Sequence, residues 1–368
     1  MRFVATQRIA PAPPPRDAAG WRARLRLRLF RSAGSSIVTI VLALAGALLA
    51  WRLFTWGVRD ALFANHGPEA CRAPGVGACW AVVGEKLRLI LFGIYPYAQQ
   101  WRAGCAVLLV VAMLALSTLR RLWHWPLLLA WASVLALYGV LMWGGVFGLS
   151  YVPDDQWGGL PVTLILATLG LAAGFPLAIG LALLRHSPRR GIGKAFAVAY
   201  IELTRSVPLL AVLFFASVMI PLFLPQGWDV SKLLRVLLAF AGFIAAYLAE
   251  VVRGGLQSIP KGQLEAAAAL GLSRTVTTLR IVLPQALSAV IPAIVNVFIA
   301  FFKATSIVVV VGIFDLMTAA NRAAADAVWQ GFGTEIYLFV AAVYFAFCSA
   351  MSWYSARLQR TLPARGAP

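Results

Sequence analysis

Residues 263–284, QLEAAAALGLSRTVTTLRIVLP, are the stretch that decides the fold, and they divide into two predicted helices around one glycine. Helix-forming residues run as far as Leu270, Gly271 has the permissive backbone that ends a helix, and Ser273 can cap the next helix. The alanines give the first helix a low profile, and Glu265 supplies one fixed charge. Because a low profile lets another surface approach closely, we expect a helix-turn-helix that docks against a protein partner.

The chain around this stretch is strongly apolar. Of its 368 residues, 61% are hydrophobic and 12% are charged, whereas a soluble domain has roughly 45–50% apolar and about 25% charged residues. The formal net charge is +19, but the basic residues lie in short clusters between apolar runs and form no continuous stripe suited to nucleic acid. The composition therefore predicts an integral membrane protein surrounded by lipid, with no nucleic-acid partner.

Eight apolar stretches approach the length of a transmembrane helix, which needs ~20 residues to cross a hydrocarbon core of about 30 Å. They lie near residues 37–56, 104–119, 127–147, 160–184, 200–224, 233–252, 287–311 and 336–356. We therefore predict an all-α membrane protein with about eight transmembrane helices. Residues 263–284 belong to the loop between the sixth and the seventh of these predicted helices.

These spans divide the chain into four predicted parts. The parts are a basic leader over residues 1–36, three N-terminal transmembrane helices over 37–159 with an outside loop near 57–103, a five-helix core over 160–356 with an inside loop near 257–286, and a tail over 357–368. The leader has prolines followed by alternating arginines, a composition typical of a disordered segment that then lies on a membrane surface.

The positions of lysine and arginine predict the orientation, because cytoplasmic loops hold the excess of these residues. An even number of spans places both termini on one side, and the leader holds eight arginines. We therefore expect both termini in the cytoplasm. The loop with Asp154 and Asp155 then lies outside and contains no basic residue. A cleaved signal peptide is the alternative for the first span, but its leader and its apolar run are both longer than usual.

Two cysteines share the long outside loop. Cys71 and Cys79 are eight positions apart in an oxidising compartment, where a local disulfide is expected. Nothing in the sequence fixes their geometry, so two unpaired thiols remain the alternative. Cys105 and Cys348 lie inside apolar runs, and no CxxC pair suggests a metal or redox site.

The sequence contains no set of residues typical of an enzyme. The three histidines, His66, His124 and His186, are scattered over separate loops, and neither an HExxH nor a GxSxG motif is present. The short stretch at residues 191–194 lacks the upstream glycine and the following Ser or Thr of a phosphate-binding loop. We therefore expect that this chain is not an enzyme and binds no ATP, metal or other cofactor itself.

Residues 263–284 resemble the EAA loop of ABC importer permeases. The pattern of that loop is Glu-Ala-Ala, three residues, Gly, nine residues, then Ile-x-Leu-Pro. The positions are filled here by Glu265, Ala266, Ala267, Gly271, Ile281, Leu283 and Pro284. An ordinary helical connector is the alternative, since it could share the alanines and the glycine turn, but the complete spacing argues against it. In that family the loop inserts into a cleft on the ATPase subunit and transmits nucleotide-driven closure.

The resemblance extends over residues 160–356 and is to the polar amino-acid uptake branch of the family. It rests on WGGLPVT at 157–163, YIELTRSVP at 200–208 and AEVVRGG at 249–255. The preceding segments GACWAVV at 77–83 and FGIYPY at 92–97 resemble the M-type subunit of general L-amino-acid permeases. The resemblance implies a type I permease core, a location in a bacterial inner membrane, and three partners. They are an ABC ATPase dimer that uses ATP, a second related permease subunit and a periplasmic amino-acid-binding protein.

Charged and polar residues inside the spans need a reason, because Arg, Lys or Asp at the bilayer centre costs about 2.5–3.5 kcal/mol on insertion scales. Glu202 and Arg205 are three positions apart on one predicted helical face and are expected to pair with each other. Asp315 ends the seventh span and is expected to face water or an incoming cationic group. The hydroxyl and amide side chains that could line a path or bridge helices are Thr163, Asn296, Thr305 and Ser306.

Lys303 is the deepest of the charged residues. It has two interpretations: a contact in the transport pathway or between subunits, or an ion pair or hydrogen bond that holds helices together. Permeases of this family tend to have Lys-Asp-Thr-Ser at this place, whereas this chain has Lys303, Ala304, Thr305 and Ser306. Ala304 removes the carboxylate that would pair with the lysine in the family pattern.

Two mechanisms compete at this stage. In the first, ATP binding closes the partner ATPase dimer, the helix with Glu265 moves with it, and paired permease cores alternate between inward and outward openings. In the second, an ion-gradient-driven secondary transporter or channel works without ATP and uses Lys303 and Asp315 as an ion-linked pair. The EAA resemblance favours the first mechanism.

Overall fold

The computed structural model describes residues 20, 25, 29–63, 66–187, 191–225, 227, 228 and 230–361. Within these residues the fold is helical, with two isolated β-bridges and no extended strand. Most of the predicted basic leader, Arg189 and Arg190 of the inside loop between the fourth and fifth predicted spans, and the end of the tail lie outside the described residues. The expectations for those stretches therefore stay predictions.

Twelve helices position the functional regions, and each label below is kept throughout. They are α1 (Ala33–Phe54), α2 (Ala81–Phe92), α3 (Gln100–Ser117), α4 (Pro126–Trp143), α5 (Gly159–His186), α6 (Ile192–Ser206), α7 (Leu209–Phe223), α8 (Lys232–Gln257), α9 (Lys261–Ala269), α10 (Leu283–Ala304), α11 (Leu316–Ala324) and α12 (Gly333–Thr361).

Seven helical stretches of the described chain are long and apolar enough to cross a membrane, and the bent pair α6–α7 adds an eighth if it counts as one span. The seven are Ala33–Arg59, Tyr97–Ser117, Pro126–Trp143, Gly159–His186, Lys232–Gln257, Arg274–Val311 and Gly333–Gln359. The prediction of an all-α membrane protein with about eight transmembrane helices is confirmed.

The predicted fifth span, residues 200–224, was wrong as a single helix. In the structure α6 ends at Ser206, α7 begins at Leu209, and the two helices meet at 104°. Pro208 explains the break, because proline has no N–H for the helical ladder and favours extended backbone in the residue before it. Val207 has that backbone, with φ −96° and ψ 136°. Apolar length alone therefore merged two helices into one.

The predicted seventh span, residues 287–311, starts earlier in the structure. A π-helical turn at Thr277–Val282 joins the short helix that begins at Arg274 to α10. The transmembrane helical stretch therefore runs from Arg274 to Val311. A π-helical turn inserts one residue into the ladder without ending the helix. The second helix of residues 263–284 is therefore continuous with a transmembrane helix.

Residues up to Ala81 form one compact unit. Its helix α1 buries none of its side chains within the unit, which suits a helix whose sides contact lipid. Beyond α1, Cys71 and Cys79 form a disulfide, and the Trp80 indole N–H donates to the Gly57 carbonyl at 2.8 Å. These contacts close the outside loop on itself.

Residues from Val82 onward form the second compact unit, and α8 is its central helix. α8 packs against α5, α6, α7 and α10 and fully buries Phe240 and Ile244. A Cβ atom at Gly174 of α5 would lie 2.8 Å from the Ala241 carbonyl oxygen. Only glycine permits this approach, so α5 and α8 touch backbone to backbone, as small residues allow in membranes.

Helices α3 and α4 pack on each other, and α3 also packs on α5 within the same unit. Arg102 of α3 is 1% exposed, and its guanidinium donates to the carbonyls of Leu141 and Ser150 at 2.7 and 2.9 Å. It also donates to the Gln99 side chain at 3.0 Å. Because these oxygens satisfy its donors, a buried arginine is tolerated at this helix end.

Candidate functional site

Residues 263–284 fold as a helix, a glycine turn and a second helix. The Gly271 amide donates to the Ala268 carbonyl at 2.9 Å, and the Leu272 amide donates to the Ala267 carbonyl at 3.1 Å. This pair of bonds is a Schellman motif, in which the residue after the helix cap has left-handed backbone. Gly271 has φ 69°. Its lack of a side chain therefore fixes where α9 ends.

The second helix follows this turn without a flexible linker. The Ser273 hydroxyl accepts a hydrogen bond from the Val276 amide at 3.4 Å and caps the new helix. The helix continues through its π-helical turn into α10, which begins at Leu283 with Pro284 in the first turn. Proline is tolerated there because its ring suits the start of a helix. The chain after the glycine turn is therefore helical as far as α10.

α9 is exposed to solvent along its length, apart from Ala267, and its exposed surface mixes apolar and charged groups. Leu264 is 46% exposed, Leu270 is 77% exposed, and Glu265 and Ala266 between them are exposed as well. Ala267 lies beneath them and is buried. We call Leu264, Glu265, Ala266 and Leu270 the α9 surface. Exposed leucines beside a charge on a small-residue helix are typical of a protein interaction site.

Two contacts lie where residues 263–284 join the transmembrane helices. The side-chain amide of Gln285 donates to the Ile281 carbonyl at 2.8 Å and to the Gln263 side-chain oxygen at 3.4 Å. The second bond joins the start of α10 to α9. At the end of α8, a Cβ atom on Gly255 would lie 2.6 Å from the Ala286 carbonyl oxygen. α8 and α10 therefore meet directly above the loop.

The pair predicted between Glu202 and Arg205 is not the arrangement that the structure shows. Glu202 accepts from the Arg185 guanidinium at 2.7 Å, and Arg205 lies 3.9 Å from the Glu250 carboxylate. Glu250 also lies 3.5 Å from Arg185 and accepts two hydrogen bonds from Arg253. We call these five side chains the Glu250 cluster. Arg253 lies three positions after Glu250 on α8, whereas Arg185 and Arg205 come from α5 and α6, so helical spacing alone could not predict these two partners.

A cavity of ≈ 310 Å³ lies between α10, α11 and α12. Its lining residues are Lys303, Ser306, Met317, Tyr337, Val340, Ala341 and Tyr344. Two of the predicted path residues, Lys303 and Ser306, therefore share one cavity. Of the other path candidates, Asn296 is exposed on α10 outside this lining, and Thr305 is fully buried.

Lys303 has an exposed side chain at the end of α10. Within the described residues it forms no ion pair, which leaves the predicted helix-holding ion pair without support. The Ser306 hydroxyl donates to the Lys303 carbonyl at 2.8 Å, so the backbone here is held in place. Lys303 is one of the residues that line the cavity.

Asp315 differs from its expected place, because it is fully buried and faces neither water nor an open path. It caps α11: its carboxylate accepts from the Thr318 amide at 2.9 Å, the Thr318 hydroxyl at 2.6 Å and the Met317 amide at 3.2 Å. Burial raises the pKa of the Asp315 carboxyl, and these hydrogen bonds oppose the rise. Its role is thus to hold the start of α11.

Thr163 also has a bridging role. Its hydroxyl is fully buried, donates to the Gly159 carbonyl at 3.3 Å and accepts from the Leu316 amide at 3.0 Å. It therefore fastens α5 to α11. The Tyr344 hydroxyl lies 3.5 Å from that of Thr305 and also interacts with Thr163 and Asp315. Of these residues, Tyr344 also lines the cavity.

The sequence did not single out several side chains that the structure brings into the charge cluster and the cavity. Glu250 was visible in the AEVVRGG motif but was not singled out as the centre of a charge cluster. The sequence did not predict that Tyr337 and Tyr344 line a cavity, because tyrosines in transmembrane helices are usually interfacial anchors. A glutamate in a predicted span, flanked by arginines in two other predicted helices, was the signal that could have found the cluster.

Comparison with known proteins identifies the family. Residues 170–362 match the family described as "Binding-protein-dependent transport system inner membrane component". The chain is 41% identical over 358 residues to the inner membrane amino-acid ABC transporter permease protein YhdY of Escherichia coli (strain K12), with 94% of this chain and 95% of that protein covered.

Two further relatives differ in how much of the chain they match. The glutamate/glutamine/aspartate/asparagine transport system permease protein BztC of Rhodobacter capsulatus is 34% identical over 426 residues, covering 98% of each chain. The probable glutamine ABC transporter permease protein GlnP of Bacillus subtilis (strain 168) is 34% identical over 203 residues, covering 55% of this chain and 91% of its own. The chain belongs to the family of binding-protein-dependent transport system inner membrane components, the permease subunits of ABC transporters.

Proposed function

We propose that this chain is the permease subunit of an ATP-driven importer whose cargo is amino acids. The cargo class is supported by its relatives, since YhdY is named as an amino-acid permease and BztC as a permease for acidic amino acids and their amides. ATP is bound and hydrolysed by a separate ATPase dimer, and a periplasmic binding protein delivers the amino acid. The chain itself carries no catalytic step.

The observation that carries this proposal is the α9 surface. It is solvent-exposed, it combines Glu265 with two exposed leucines, and it is joined to α10 without a flexible break. A docking surface transmits force only if its connection to the moving part is stiff. The glycine turn and the continuous helix beyond it give that stiffness, so closure of the ATPase dimer against α9 moves the transmembrane core.

The remaining partners and the location follow from the same scheme. α8 to α12 form one wall of a path, and a second related permease subunit supplies the opposite wall. The excess of basic residues supports an orientation with both termini on the cytoplasmic side of a bacterial inner membrane. In this orientation the α9 surface faces the cytoplasm, where the ATPase is located.

The test is to strain the glycine turn in the assembled transporter. Gly271→Val forces a β-branched residue into left-handed backbone, which costs about 1–2 kcal/mol and distorts the end of α9. We expect the variant to insert and assemble, and to hydrolyse ATP, but to import at least about tenfold less amino acid per ATP hydrolysed. Uptake and phosphate release are measured on the same proteoliposomes.

Gly148→Val is the matched control. Gly148 has φ 75° and, like Gly271, no heavy atom within 4 Å of an added Cβ, but it lies in the loop after α4. The two variants therefore carry similar backbone strain at different places. The proposal requires normal coupling in the control. Normal uptake per ATP in Gly271→Val, or equal losses in both variants, would show that the turn has no coupling role.

A further inference from the structure

The cavity between α10, α11 and α12 has an unbalanced charge. Of its seven lining residues, Lys303 is the one with a charged side chain, and none is an aspartate or glutamate. The other polar groups of the lining are the hydroxyls of Ser306, Tyr337 and Tyr344. The cavity therefore offers one ammonium group and hydroxyls, but no carboxylate.

No neighbouring carboxylate neutralises this ammonium group within the described residues. Asp315, at the start of the adjacent α11, is fully buried, and its oxygens already accept three hydrogen bonds from Thr318 and Met317. Ala304, the residue after Lys303, has a methyl group and offers no charge. Lys303 is thus a free cation at the end of a transmembrane helix.

The hydroxyls have partners that hold them in place. Tyr337 donates to the Asn321 side chain at 3.0 Å, and Ser306 donates to the Lys303 carbonyl at 2.8 Å. Each hydroxyl oxygen keeps lone pairs that can accept a further hydrogen bond. Such groups suit uncharged polar cargo, but they supply no counter-charge for a cation.

An unpaired ammonium group acts strongly on charged cargo at this place. The interaction of two unit charges grows as the dielectric falls, so that a pair near a protein surface interacts about four times more strongly than in bulk water. A carboxylate that enters the cavity gains a partner, whereas a guanidinium or a second ammonium is repelled. Amino acids share their α-groups, so the difference among them comes from the side chain.

We propose that Lys303 makes this cavity a charge filter, which admits amino acids with anionic or uncharged side chains and excludes those with cationic side chains. The proposal rests on the proposed function and narrows its cargo. The 310 Å³ volume suits one small ligand, since ligand pockets begin at about 300 Å³. Selection by charge in the permease adds to any selection made by the binding protein.

The experiment measures binding to the permease–ATPase complex in nanodiscs without the binding protein, so that the membrane part alone selects. Radiolabelled L-glutamate, L-glutamine and L-arginine are the probes. The wild-type complex is expected to bind arginine at least about tenfold more weakly than glutamate. Lys303→Met should reduce that glutamate-to-arginine ratio about tenfold while it changes glutamine binding less than about twofold.

Two further variants make the outcome specific. Ser306→Asp adds a carboxylate to the lining and should raise arginine binding toward that of glutamate. Lys232→Met removes an exposed lysine that lies outside the cavity lining, and it should leave all three affinities unchanged. The control shows whether the overall charge of the chain, rather than the charge in the cavity, sets the ratio.

The filter is overturned if the wild-type complex binds arginine as well as glutamate, if it binds neither glutamate nor glutamine, or if Lys303→Met weakens all three ligands equally. The last result would place Lys303 on the α-carboxylate that every amino acid shares. Failure of the proposed function looks different, since ATP would then drive no amino-acid uptake by the complete transporter. A working importer with no charge preference would refute the filter alone.

Discussion

The Glu250 cluster and Lys303 are two charged regions of one membrane protein with opposite surroundings. Glu250 contacts the guanidinium groups of Arg185, Arg205 and Arg253, and it links α8 to the ends of α5 and α6. Lys303 has no ion pair within the described chain and lines a cavity instead. The first region uses its charges to join helices, and the second keeps a charge available.

This difference assigns roles more sharply than depth in the membrane does. A charge that is matched by neighbours is consumed in holding the fold, whereas an unmatched charge costs stability and persists where it has a ligand to meet. Removing a charge should therefore lower stability in the Glu250 cluster but cause no loss of stability at Lys303. The thermal stability of Glu250→Gln and Lys303→Met variants tests this contrast.

Glu250→Gln should destabilise the protein most. The substitution leaves three arginines without their shared carboxylate, and we expect a loss of about 2 kcal/mol, which is below the 3–5 kcal/mol of a fully buried pair because the cluster is partly exposed. The measurement is the thermal midpoint of the purified protein in detergent, which should fall by several degrees.

Glu202→Gln is the control for that loss. The Glu202 side chain is 55% exposed and contacts a single arginine, Arg185, which retains Glu250 as a neighbour. Its removal should lower stability by less than about 0.5 kcal/mol. If Glu202→Gln and Glu250→Gln lower the thermal midpoint equally, Glu250 is not the centre of the cluster.

Lys303→Met should have a smaller effect and cause no loss of stability. No ion pair is broken and one uncompensated charge leaves the membrane region, so we expect unchanged stability or a gain of up to about 1 kcal/mol. The same thermal assay detects the change. A clear loss of stability would mean that Lys303 is bound to the fold after all, and the contrast between the two regions would fail.

The parts that the sequence predicted are those with local signals. The end of α9 at Gly271 and the cap at Ser273 are set by the backbone freedom of glycine and by one hydroxyl, and both appear in the structure. The EAA spacing adds a function to that geometry. Apolar length likewise predicted most spans, because length and composition alone decide whether a helix can cross a bilayer.

The parts that the sequence did not predict depend on which helices become neighbours. Pro208 was visible, but nothing local showed that the chain would turn by 104° there instead of bending slightly. Glu202 met Arg185 rather than Arg205, because α5 packs beside α6. The burial of Asp315 and the cavity beside Lys303 also require the packed structure.

ATP-dependent uptake tests the central claim most directly. Proteoliposomes that contain the permease pair, the ATPase dimer and the binding protein are loaded with ATP, and uptake of labelled glutamate is followed with and without ionophores. We expect uptake to require internal ATP and to persist when all ion gradients are dissipated. Uptake by the permease on an ion gradient alone, without ATP or the ATPase dimer, would contradict the account and favour a secondary transporter.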